Sequence, residues 1–101
     1  MSREEKIRKM LDQEPNDTFL NFSLAMELAK AESWDAALAQ FDRVIDIDSG
    51  YVAAFFHKGQ TLVKMGDIDR AKETLTAGIG RAGEVGDFHA KREMEEFIEM
   101  I

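Results

Sequence analysis

Apolar residues recur along this chain at helical spacings, and turn-forming residues separate the runs. Ser2 and Glu5 form a capping-box pair ahead of Ile7, Met10 and Leu11. Pro15 stops this first helix, because the residue before a proline avoids the α region. A second helix is predicted from about Asp17 to Ala31, with Leu20, Leu24 and Leu28 on one stripe and Ala25 beside them. Ser33 is placed to cap a third, which carries Trp34, Ala37, Leu38, Phe41, Val44, Ile45 and Ile47. The fourth begins near Tyr51, carries Phe55, Phe56, Gly59, Leu62 and Val63, and closes at Gly66, a residue suited to a left-handed C-terminus. Asp67 caps a fifth with Ile68, Ala71, Leu75 and Ile79 inward. Gly78, Gly80, Gly83 and Gly86 then crowd together and read as a helix end followed by a connection. Asp87 caps the last helix, with Phe88, Met94, Phe97, Ile98 and Ile101 spaced for one face. No alternating strand pattern appears, so the predicted class is all-α.

The pattern also repeats. Ile7, Phe41 and Leu75 stand 34 residues apart, as do Leu11, Ile45 and Ile79, Ala37 and Ala71, Leu28 and Leu62, and Pro15 and Ser49. A fixed period of that length marks one supersecondary unit copied along the chain, each copy burying its apolar face on the next. Short connections make neighbouring helices antiparallel. The expectation is an α-solenoid of antiparallel helix pairs with about six helices in a single domain, residues 1–101. Within it, residues 1–15 form a capping half-unit, 17–50 and 51–84 the two repeats, and 87–101 a C-terminal capping helix.

Composition narrows the partners. With 20 acidic and 13 basic residues the formal net charge is −7. A nucleic-acid binder depends on lysine and arginine against phosphate, and anionic membranes impose the same demand, so neither is an expected partner. There is no cysteine, which removes disulfides and thiolate chemistry and suits a reducing cytoplasm. The charged N-terminal segment lacks the apolar core of a signal peptide, and no apolar stretch is long enough to span a bilayer. The expected location is cytoplasmic.

The repeated positions resemble the tetratricopeptide repeat. One unit offers Asn21, Leu24, Ala25 and Leu28, then Ala37, Phe41 and Val44, with Ser49 at the slot where proline is common. The next offers Phe55, Lys58, Gly59 and Leu62, then Ala71, Leu75 and Gly78. Small residues at Ala25, Gly59, Ala37, Ala71 and Gly78 allow close helix approach. Asn21 stands where a bulky apolar residue is usual, and Lys58 replaces the customary leucine. The stretch Ala77-Gly78-Ile79 with Gly86-Asp87-Phe88-His89-Ala90 and Glu93-Met94 is similar to the tail of small bacterial proteins with this repeat. The resemblance implies that the first helix of each pair lines a concave groove. Its slots two, five, six, nine, twelve and thirteen fall on Phe19, Phe22, Ser23, Met26, Ala29 and Lys30, and then on Ala53, Phe56, His57, Gln60, Val63 and Lys64. Some family members clamp a peptide's C-terminal carboxylate with polar groups in these slots. Phe22 and Met26 replace such groups here.

Motifs that could carry chemistry lack their context. Gly78-Ile-Gly80-Arg-Ala-Gly83 spells a dinucleotide-binding pattern, which needs a preceding strand and a helix opening after it. Asp46-Ile-Asp48-Ser-Gly50 begins like a calcium loop, but Gly50, Tyr51 and His57 occupy the fifth, sixth and twelfth positions. His57 and His89 have no zinc spacing, and His89 with Glu93 fits a local helix pair. The sequence therefore predicts no catalytic residue, cofactor or metal. It predicts a protein-interaction module or adaptor offering a concave apolar groove to a peptide or helix of a partner. The groove residues are Phe19, Phe22, Ser23, Met26, Lys30, Phe56, His57, Gln60 and Lys64. The alternative is a homodimer or larger homo-oligomer whose groove serves self-association only, or a groove covered by the terminal helices.

Overall fold

The protein is built from α1 (Arg3–Gln13), α2 (Thr18–Lys30), α3 (Trp34–Ile47), α4 (Val52–Lys64), α5 (Ile68–Val85) and α6 (Phe88–Met100). The structure, a computed structural model, describes residues 1–101. Four helices begin at side chains that take up an otherwise unpaired amide. The Ser2 hydroxyl accepts from Glu5 N–H at 3.1 Å, and the carboxylates of Asp17, Asp67 and Asp87 accept from Leu20, Arg70 and Ala90 at 2.8, 3.2 and 3.1 Å. Ser33, expected to do the same for α3, makes no such bond. Its ψ of 71° nearly matches the 74° of Asp67 and Asp87, so the backbone is equivalent. At this ψ the longer aspartate side chains make the bond, whereas a serine makes it from the more extended backbone of Ser2, ψ 163°.

The turns that close α2, α4 and α5 share one design. Ser33, Asp67 and Asp87 each donate their N–H at 2.9 Å to a carbonyl five residues back, at Leu28, Leu62 and Ala82. The residue before each has a left-handed backbone: Gly66 at φ 83°, Gly86 at φ 80° and Glu32 at φ 60°. Glu32 occupies the slot of Gly66 one period earlier, and with a Cβ its conformation costs about 1–2 kcal/mol.

Sequential helices pack as antiparallel neighbours. α2 also touches α4, and α4 touches α6, whereas α1, α3 and α5 do not touch one another. The even-numbered helices therefore line the inner, concave side of a curved stack. Between the layers, Ile7, Phe41 and Leu75 are all buried, as are Ala37 with Ala71 and Leu28 with Leu62. Side chains one period apart thus play equivalent roles.

Two unusual positions have local answers. Asn21 is buried and donates its side-chain N–H to the carbonyls of Pro15 and Asp17 at 3.1 and 2.8 Å, while its Oδ1 accepts from Gln40 Nε2 at 2.6 Å. It therefore ties the α1–α2 turn to α3. Lys58 has a mostly covered side chain whose ammonium ends 2.7 Å from Asp42 on α3.

The glycine cluster is not a helix end. α5 runs through Gly78, Gly80 and Gly83 to Val85, and only Gly86 terminates it. The reason is tertiary. A Cβ on Gly78 would lie 2.6 Å from Phe55 Cβ and 2.7 Å from Met94 Sδ, so α4 and α6 clamp the helix where its own propensity is weakest. Two apolar residues that the helical spacing includes point outward: Phe88, spaced for the apolar face of α6, is 67% exposed, and Met10 of α1 is 54% exposed.

These contacts predict opposite effects from one chemical change made two residues apart. Gly80→Ala meets open space and should raise stability by about 0.5–1 kcal/mol. Gly78→Ala should lower it by about 1–3 kcal/mol through overpacking. Urea unfolding followed by circular dichroism measures both, and shifts of the same sign would contradict the packing.

Candidate partner-binding groove

All nine groove residues expected from the sequence lie on the concave side, where they line three adjoining clefts. The first, about 350 Å³, is bounded by Arg3 from α1 and by Phe19, Phe22, Ser23, Met26, Glu27 and Lys30 from α2. The second, about 190 Å³, lies between α2 and α4 and adds His57, Gln60, Thr61 and Lys64 to Met26, Ala29 and Lys30. The third, about 490 Å³, lies between α4 and α6 and includes Val52, Ala53, Phe56, His57 and Gln60 with Asp87, His89, Ala90 and Glu93. Met26 and Lys30 join the first two clefts, and His57 and Gln60 the last two.

Within this wall the apolar residues differ. Phe22 is half-buried against the core, with its ring 5.1 Å from Tyr51, 5.4 Å from His57 and 6.1 Å from Phe41. Phe56 packs edge-on against Phe97 of α6 at 5.7 Å. Both rings are therefore partly satisfied inside the protein. Phe19, 62% exposed, and Met26, 37% exposed, leave the largest open apolar surface. Ser23 is buried at the cleft floor, whereas Lys30 and Lys64 are exposed at the last turns of α2 and α4. The α6 residues Asp87, His89 and Glu93 were not expected in the groove. Their signal was present in the Asp87 cap, which starts a helix in the same place within its pair as Asp17. A strict 34-residue register hid it, because α5 has 18 residues where α3 has 14.

Charges sort along the groove. Arg3 pairs with Glu27 at 2.6 Å, and His89 lies 3.1 Å from Glu93. Lys30 and Lys64 have no carboxylate within ion-pair distance. Burial, and then the charge of Lys64, hold the His57 imidazole below its ordinary pKa. Burial, followed by the carboxylates of Asp48 and Asp17, pushes the Tyr51 phenol up. No group of three or more histidine or carboxylate side chains converges to hold a metal ion.

The chain belongs to the tetratricopeptide repeat family, whose model matches residues 28–92, more than half of its length. Among solved structures, it is similar to protein BPP2914 from Bordetella parapertussis, with 29% identity and a TM-score of 0.87 over 99% of this chain and 87% of that one. A tetratricopeptide repeat domain protein from Salinibacter ruber is also 29% identical, with a TM-score of 0.79 over 85% of this chain and 87% of the other. The TPR2B domain of yeast Sti1, solved as a complex with pHsp70, is 25% identical with a TM-score of 0.87 over 95% of this chain and 77% of that one. No curated protein matches the chain in sequence. No helix is long and apolar enough to cross a membrane.

Two substitutions on one helix separate wall from core. Phe19→Ala should change stability by no more than about 0.5 kcal/mol, as for an exposed surface site. Phe22→Ala should cost about 1.5–3 kcal/mol, because its ring is built into the packing. Urea midpoints of the two variants give the comparison; equal midpoints would contradict the difference in burial.

His57 adds a pH dependence. Its folded pKa is lowered, so the unfolded chain takes up the proton first as pH falls below the ordinary value of about 6.5. Stability contributed through His57 is therefore present at higher pH and is lost between that value and the lowered folded pKa. His57→Gln should flatten this part of the curve of urea midpoint against pH; an unchanged slope would contradict the placement of His57.

Proposed function

We propose that the protein is a display module that holds a peptide or helix of a partner protein along the concave face of α2, α4 and α6, without catalysis and in the cytoplasm. In this reading residues 17–50 and 51–84 are its two repeats, and the α6 segment extends the wall. The observation that carries it is the continuous set of clefts in which Phe19 and Met26 stay open while their neighbours are packed from behind. Exposed aromatic and methionine side chains on a rigid wall offer large contact area and adaptable shape. Fully burying one exposed side chain of this kind contributes about 1.5–3 kcal/mol, and the open 62% of Phe19 and 37% of Met26 together amount to about one such side chain, a share of a micromolar affinity. A solved complex of a similar repeat domain, yeast Sti1 TPR2B with pHsp70, supports the interaction class.

Self-association through the same wall is the second reading. It is favoured by the opposite charges at the two ends of the groove, Lys30 and Lys64 against Asp87 and Glu93, which an antiparallel pair of copies would match.

Selection from a random displayed-peptide library tests the proposal. The wild type should enrich sequences that Phe19→Asp/Met26→Asp does not, with both proteins melting cooperatively at similar temperatures. Light scattering over a range of concentrations should show a monomer throughout. No enrichment, together with a concentration-dependent dimer that the double variant abolishes, would establish self-association instead.

A further inference from the structure

Lys30 and Lys64 occupy the same position one period apart, in the last turns of α2 and α4. Neither has a carboxylate within ion-pair distance, which is equally true of Lys6, Lys9 and Lys72, but Lys30 and Lys64 are brought together on one cleft of about 190 Å³. The preceding helical turn offers Lys64 only Gln60 and Thr61, and it offers Lys30 only Met26 and Glu27, the latter held by Arg3 at 2.6 Å. Complementing the helix dipoles accounts for a lysine at each helix end. It does not account for the convergence of both on one cleft, beside His57 and adjoining the apolar surface of Phe19 and Met26.

We propose that this cleft receives an acidic side chain of the partner, so that the ligand is a peptide segment carrying aspartate or glutamate next to a bulky apolar residue. The proposal rests on the groove reading above and names its ligand chemistry. The apolar residue lies on Phe19 and Met26, and the carboxylate bridges the two ammonium groups. Asp87 and Glu93 on the α6 side repel the same charge and confine the acidic residue to the α2–α4 side. Recognition is of an internal side chain, so it survives blocking of both peptide termini.

His57 reports the seated charge. It faces Lys64 on its own helix, Lys30 from α2, and Asp87, His89 and Glu93 across the α4–α6 cleft. The charge of Lys64 helps to lower its pKa, and a carboxylate held between the lysines opposes that effect. Ligand binding therefore raises the His57 pKa, and affinity increases as pH falls toward it.

The experiment is selection from a random displayed-peptide library, followed by binding of the enriched sequences as peptides with acetylated and amidated ends. Selection is run in parallel on the wild type, on Lys30→Glu/Lys64→Glu, and on Lys30→Gln/Lys64→Gln in case charge reversal disturbs the fold. The expected result is wild-type enrichment of aspartate or glutamate beside Leu, Ile, Met or Phe. The glutamine variant should bind these peptides at least about tenfold more weakly, and the glutamate variant should enrich lysine or arginine instead. Saturating peptide should move the His57 ring resonances to a higher titration midpoint by NMR. Enrichment that depends on Phe19 and Met26 but carries no acidic bias overturns this inference and leaves the groove reading standing. No enrichment by any of the proteins overturns both. A concentration-dependent dimer that Lys30→Gln/Lys64→Gln dissociates overturns the inference in favour of a second copy as occupant.

Discussion

The seating of facing side chains in the recesses left by two glycines is the contact on which the stack depends. At Gly59 an added Cβ would lie 2.7 Å from Leu75, and at Gly78 it would collide with Phe55 and Met94. Leu75 and Met94 are fully buried large side chains, so each glycine is the recess that receives a residue of the facing helix. Enlarging either recess residue would push α4 from α5, or α5 from both α4 and α6. Interiors packed at crystal density have no slack to absorb such a shift. The fit of α4 against α5, and of α5 against α6, is therefore set by these small residues.

The groove is a geometric consequence of that packing. With α4 held against α5 and α6 held against both, the even-numbered helices meet along the inside of the curve and the odd-numbered ones remain apart. Residues of α2 and α4 that are not needed between the layers project into the concavity. Some of them are recruited back into the protein: Phe22 by Tyr51 and Phe41, and Phe56 by Phe97. What remains open is a narrower surface than the apolar wall suggests, with Phe19 and Met26 at its centre and the unpaired lysines at its edge.

Much of the fold was legible because the relevant signals are local. Pro15 and the aspartate caps mark boundaries by backbone chemistry alone, and the burial of Phe41 and Leu75 follows from their shared place in the period. The continuation of α5 was not legible. Three glycines within six residues weaken a helix by intrinsic propensity, and only the contacts of Gly78 with α4 and α6 reverse that. The same missing information hid part of the candidate groove. The longer α5 displaces α6 from the 34-residue register, so Asp87, His89 and Glu93 were assigned to a cap although they line a cleft. Placement of α2 and α4 slots was readable, but their exposure was not: Phe19 and Phe22 are alike in sequence and differ only through the rings that Tyr51, His57 and Phe41 bring to Phe22.

The most direct measurement is a set of NMR nuclear Overhauser contacts at the two recesses. Strong cross-peaks from the Gly59 Hα protons to the Leu75 methyl groups, and from the Gly78 Hα protons to the Phe55 Hβ protons and the Met94 methyl, are expected. A folded helical protein lacking both sets of cross-peaks would contradict the nesting from which the groove is built.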